Sequence, residues 1–339
     1  MEKNKKMKNY PRLDYVDIVK GLGITLMVFG HGYSQNTNFP VMIWIYSFHM
    51  PLFFITTGVL YGIKREKNLK FNWRQKVKTL LVPFILWNTV YQIFISILKI
   101  IGGAPVKKTI ISNLQMVLYL GGSAMWFLPV MFFASMFFLI TIKNQKLNIS
   151  VTILMCIIGL FASIHVTIIE TILKAFVATA FIGIGFYLFP LFINKIRIKY
   201  LVILFFINMV LIFENGMVSI ADRIYHNPIF YYINGSIGTL LIYQVAMNMK
   251  KKNCFYRFFR YWGKNSIKIL CFHGFIIQII RLIDYQLLKN MLPHLKKMEG
   301  IIMTLLVMVA LTVMMPLINK FLNWTFGMKN CKRSIDKND

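Results

Sequence analysis

The sequence predicts an all-α fold, a polytopic integral membrane helical bundle of about ten transmembrane helices, and three observations predict it. Of the 339 residues, 57% are hydrophobic and only 15% are charged. The mean hydropathy is +0.61, far from the balance of a soluble domain. Apolar runs of about 17 to 25 residues, long enough to cross a hydrocarbon core, recur along the whole chain.

Taken in order, the expected spans are 14–32, 41–63, 79–101, 123–142, 149–169, 171–193, 200–214, 229–249, 266–284 and 300–322, the seventh being the shortest. Residues 1–13 read as a basic N-terminal tail, 14–322 as a single membrane domain and 323–339 as a C-terminal tail. If the N-terminus is cytoplasmic, the segments on that side carry 27 Lys and Arg against 7 on the other. The positive-inside rule then places both termini in the cytoplasm. This orientation signal accounts for most of the net charge of +28. Nucleic acid is not an expected partner, and the mixed basic and aromatic stretch "CFYRFFRYWGKN" (254–265) reads as an interfacial belt facing membrane lipids. The first span lacks a small-residue cleavage site and is expected to stay in the mature protein. The four cysteines show no CxxC spacing and no extracellular pairing pattern, so neither a disulfide nor a metal site is expected. "NIS" (148–150) and "NWT" (323–325) match glycosylation sequons but fall on the inner side.

Polar groups within spans are costly in hydrocarbon and usually face a cavity or a partner. The first span, containing "KGLGITLMVFGH", has the densest set. Lys20 and His31 are eleven residues apart, a net turn of about 20° and a rise of roughly 16 Å, so they share a helix face. Asp17 lies one turn before Lys20, and Gly21, Gly23 and Gly30 let a backbone or a ligand come close. Lys20 can snorkel to headgroups or bind an anion. In the second span His49 sits beside Pro51, which removes one backbone donor. The short, uncharged loop makes these two spans antiparallel neighbours and brings His49 to the depth of His31. Two histidines then face one cavity.

An acid, a basic residue, ten apolar or small positions and a histidine, followed by "FHMPLFFITTGVLYG", resemble the membrane acyltransferase-3 family. Within it the chain most resembles the fucose 4-O-acetylase-like branch of sugar O-acetyltransferases. Further similarity lies in "RQKVKTLLVPFILWN" (74–88), "MWFLPVMF" (125–132) and "WGKNSIKILCFH" (262–273). The family commonly has arginine where this chain has Lys20, and an Arg-x-x-Arg pair where it has Arg74, Lys76 and Lys78. It also has serine-glycine where this chain has Thr57-Gly58. The basic changes keep charge and lose the guanidinium fork.

The resemblance implies transfer of an acetyl group from acetyl-CoA to a carbohydrate hydroxyl, in a bacterial cell membrane, with no metal. Acetyl-CoA phosphates are expected on Lys20, Arg74, Lys76 and Lys78, with the pantetheine arm over the glycine face of the first helix. His31 is the expected general base. His49 is a second base, an orienter or an oxyanion stabiliser. Direct transfer and an acetyl-histidine relay both stay open. Asp17, Asn88, Tyr91, Trp126 and His273 are expected support or cavity residues, while Glu170 with Lys174 reads as a solvated pair. His165, His226, His294 and Arg281 with Asp284 are expected near the outer surface. The acceptor is a cell-surface glycan or a lipid-linked sugar precursor. A different class fits buried ionisable groups too: a proton-coupled transporter or flippase.

In a cysteine-free background, Lys107→Cys is expected to react with a membrane-impermeant maleimide in intact cells, and Lys251→Cys only after disruption. The reverse pattern inverts the topology.

Overall fold

The structure, a computed structural model, describes residues 13–33, 39–66, 71–118, 120–121, 123–164, 166–287 and 298–327. Residues 1–12 and 328–339 of the two tails, His165, His294 and Cys331 lie outside the described residues. The rest is helical, and among the described residues the extended pairing is one isolated bridge, Ser219 with Ile224. The helices are α1 (Asp14–Gly32), α2 (Pro40–Glu66), α3 (Trp73–Lys76), α4 (Val82–Ile101) and α5 (Val106–Leu118). They continue as α6 (Phe127–Thr141), α7 (Gln145–Phe161), α8 (Thr167–Tyr187), α9 (Phe189–Ile193) and α10 (Ile198–Asn215). The last four are α11 (Pro228–Asn248), α12 (Cys254–Lys264), α13 (Ser266–Leu287) and α14 (Glu299–Phe321). Each expected span overlaps a helix, and among the described residues 7 helices are long and apolar enough to cross a membrane. The chain is an integral membrane helical bundle.

Local chemistry explains the breaks. Pro83 has no N–H to give to the carbonyl of Thr79, and the turn before it, Val77–Leu81, widens to a π turn. The fifth span, expected over 149–169, ends at Phe161. There the Arg223 guanidinium takes the terminal carbonyls, donating to Ile164 at 3.2 Å, to Gly159 at 3.4 Å and to Ala162. Two stretches between the expected spans are also built. α5 folds back on α4, where Asn113 Nδ2 donates to Ser96 Oγ at 2.7 Å. Residues 216–227 form a hairpin with reciprocal Ser219 and Ile224 bonds of 2.8 Å, and Arg223 sits at φ 58°. Val218, Ile220 and Tyr225 anchor that hairpin in the core.

α1 is the central helix, and α2, α11, α12, α13 and α14 all pack on it. Its tightest neighbour is α12, held in two ways. Asp14 accepts from Arg260 Nε and pairs with its Nη2, both at 2.7 Å, and accepts from the Tyr256 hydroxyl at 3.0 Å. Gly21 and Gly263 then let the backbones touch: a methyl group on Gly21 would strike the Phe259 carbonyl, and one on Gly263 the Asp17 carbonyl. The glycine face expected to carry a ligand is therefore filled by protein. α12 covers Gly21, Leu52 and Phe53 of α2 cover Gly23, and the Tyr46 ring covers Gly30.

Gly263→Val is expected to destabilise the purified protein by about 3 kcal/mol or more, since the obstacle is backbone that cannot rotate away. Gly183→Ala, whose added carbon would meet Thr152 at 3.6 Å, should unfold at the wild-type temperature. Equal midpoints for both variants in detergent would show that the α1–α12 contact is loose.

Candidate active site

The position of α12 sets the register of α13. Ile24 of α1 and Ser266 of α13 line one small apolar cavity. Seven residues further along each helix stand His31 and His273, with ring centroids 5.4 Å apart. The same rise of about 1.5 Å per residue carries both imidazoles to one level.

His31 is the shared wall of two cavities. One, of about 150 Å³, is lined by His31, His273, Tyr91, Ser123, Gln278 and Arg281 among others. The other, of about 50 Å³, is lined by His31, His49, Tyr46, Trp126 and the Ser219–Ala221 edge of the hairpin. His31 carries exposed surface, and these cavities are where it faces, whereas His49 and His273 are buried. Backbone carbonyls fix the two buried rings. His49 Nδ1 lies 2.9 Å from the Ile45 carbonyl, and His273 Nδ1 lies 2.9 Å from that of Leu270 and 3.2 Å from that of Ile269. A carbonyl only accepts, so Nδ1 carries a hydrogen in both rings, and in the neutral ring Nε2 keeps its lone pair. The Tyr46 ring packs edge-on against His49 with centroids 5.0 Å apart. The Pro51 ring packs on Gly235 of α11.

Arg281, expected near the outer surface, also lines the His31–His273 cavity. Its Nη2 donates to the Tyr33 carbonyl at 2.7 Å, and its Nε is buried without a partner among the described residues. The signal was available: His273, Ile277 and Arg281 follow at i, i+4 and i+8 on one helix face. Asn88 lines neither cavity. It is fully buried and shapes the first one by accepting from the Ser123 hydroxyl at 2.7 Å and donating to the Gly121 carbonyl at 3.5 Å. Tyr91 and Trp126 are wall residues of the first and second cavity.

The expected phosphate ligands lie away from the histidines. Arg74 and Lys78 are exposed and Lys76 is half-buried, with its Nζ 5.2 Å from the Tyr61 ring centroid. Lys20 is half-buried, one turn from Ile24 on the stripe Lys20, Ile24, Met27, His31. Asp17 is buried under α12. Sequence reasoning missed Lys268, a buried amine ringed by the carboxamide oxygens of Asn319, Asn323 at 2.5 Å and Asn265 at 3.5 Å. This cage uses Asn323 of "NWT", and Asn148 of "NIS" is likewise spent, donating to the Phe138 carbonyl at 2.9 Å. Among the described residues no cluster of His, Cys, Asp and Glu could hold a metal ion.

Asn88→Ala removes the acceptor of the Ser123 hydroxyl and the donor to the Gly121 carbonyl. It is expected to lower stability by about 1–3 kcal/mol, read as a drop in the thermal midpoint of the purified protein. A wild-type midpoint would mean that other contacts hold the 120–126 segment.

The family model described as an acyltransferase domain, that of the acyltransferase-3 family, matches residues 13–319. No curated protein and no solved structure matches the chain.

Proposed function

Because the chain belongs to the acyltransferase-3 family, we propose that it is an integral-membrane O-acetyltransferase using cytosolic acetyl-CoA. Its acceptor is a hydroxyl of a cell-surface glycan or lipid-linked sugar precursor, in keeping with the resemblance to the fucose 4-O-acetylase-like branch. The observation that carries this reading is His31, standing between two cavities with His273 on one side and His49 on the other.

In the proposed step His31 takes the proton from the acceptor hydroxyl while its oxygen attacks the thioester carbonyl carbon. The tetrahedral intermediate collapses, the carbon–sulfur bond breaks, and the leaving thiolate recovers the proton from the imidazolium. Arg281, in the His31–His273 cavity, offers positive charge to an oxyanion formed on that side of the His31 ring. His49 and His273 are held in one tautomer by their carbonyl bonds, so each can accept a hydrogen bond and orient a reacting group without reorganising.

The donor enters from the basic side. An apolar cavity of about 40 Å³ runs from Ile24, one turn from Lys20, to Leu270, which it shares with the roomier His31–His273 cavity where the thioester would lie. This side of α1, in place of its filled glycine face, suits a pantetheine arm. Lys20, with Arg74, Lys76 and Lys78 at the basic surface, suits the phosphates. The lysine and arginine asymmetry supports that surface being cytoplasmic.

Membranes containing the protein are expected to release CoA thiol from acetyl-CoA in the presence of acceptor. His31→Ala should lower this by about 100-fold or more at equal protein level, in line with removal of a general base. Full transfer by His31→Ala would discard it as the base, and acceptor-independent solute flux without thiol release would favour a transporter. Lys20→Ala should weaken acetyl-CoA binding by several-fold, with a smaller difference in high salt; unchanged affinity removes it from the donor site.

A further inference from the structure

Outside the histidine site, a cavity of about 460 Å³ opens between the end of α7, the start of α8 and the 216–227 hairpin. Its charged lining is Glu170, Lys174, Asp222 and Arg223, two of each sign. Two observations join it to the histidines. Ala221 is a wall of both this cavity and the His31–His49 cavity. Lys174 Nζ of the outer cavity lies 5.8 Å from the ring centroid of Trp126, which lines the inner one. The frame around this passage is fixed: Ser219 Oγ donates to Asp222 Oδ2 at 2.6 Å, and Arg223 is bound to the end of α7. Lys174 is half-buried and carries its amine on a flexible four-carbon stem.

The sizes assign the parts. About 50 Å³ beside His31 and His49 holds little more than one hydroxyl-bearing tip, since a water occupies about 30 Å³ of liquid. The outer cavity of about 460 Å³ falls within the range of about 300–1,000 Å³ usual for small-molecule sites. We infer that the acceptor is a neutral, polyhydroxylated chain whose body rests in the outer cavity while one hydroxyl passes Ala221 and Trp126 to His31. The balanced charges disfavour a strongly anionic or cationic acceptor and give hydroxyl groups both donors and acceptors. The indole of Trp126 offers a flat face to a sugar ring when Lys174 swings away. Which hydroxyl is acylated then depends on how far the chain reaches past Ala221.

This inference rests on the acyl-transfer reading, and one kinetic experiment separates the two. Full-length protein in membranes is given acetyl-CoA and envelope glycan from cells lacking the gene, each varied in turn. Ala221→Trp narrows the passage, and Ala221→Leu, a smaller obstruction at the same wall, serves where the larger residue impairs folding. Both are expected to raise the half-saturating glycan concentration, Ala221→Trp by about tenfold, equivalent to about 1.4 kcal/mol, and to leave that of acetyl-CoA within twofold of wild type. Wild-type glycan saturation in both variants, or a shift in acetyl-CoA saturation instead, overturns the acceptor route. Absence of thiol release by the wild type overturns the acyl-transfer reading and this route with it.

Discussion

The close approach of α12 to α1 governs the geometry of the whole site. Backbone contact at Gly21 and Gly263, with Asp14 clasped by Arg260 and Tyr256, leaves α12 no freedom to slide. Since Lys264 ends α12 and Ser266 begins α13, the height at which α13 enters the bundle follows from that contact. Ser266 enters beside Ile24, and equal rises along two adjacent helices bring His273 to His31. A one-residue slip would turn His273 by about 100° and separate the rings.

A low-dielectric bundle penalises any polar group left unsatisfied, and most of the buried ones here have a visible partner. His49 and His273 give a hydrogen to their own helices, Asn148 bridges α6 and α7, and Lys268 sits in a ring of carboxamide oxygens. Against that background the groups turned toward the cavities are informative. His31 faces both of them, and Arg281 keeps a buried Nε without a partner among the described residues. Arg281 is one of several buried groups with an unmatched polar atom among the described residues, and it stands apart because it also lines the cavity that His31 and His273 share.

Much of the fold was readable because hydropathy and helical length are local properties. Even the short seventh span is a full helix, Ile198–Asn215. The shared cavity of His31 and His49 followed from two antiparallel helices joined by a short loop. What could not be read depended on contacts distant in sequence. His273 becomes a partner of His31 only through α12, whose burial against α1 has no signature in a basic, aromatic stretch. Arg281 followed from the periodicity of its own helix, yet its depth depended on the same register. The end of α7 is set by Arg223, some 60 residues onward, and the hairpin bearing it is too short and irregular to announce itself. The glycines of α1 signalled close approach correctly, but a sequence does not say whether backbone or ligand makes that approach.

The central claim is that acetyl-CoA presents its acyl carbon to His31 between His273 and His49. A cryo-electron microscopy structure of the protein in lipid, with a non-transferable thioether analogue of acetyl-CoA, tests it most directly. The account predicts the analogue's carbonyl within about 4 Å of the His31 ring, its arm beside Met27 and Ile24, and its phosphates at the basic surface near Lys20. An analogue bound with its carbonyl outside both histidine cavities would contradict it.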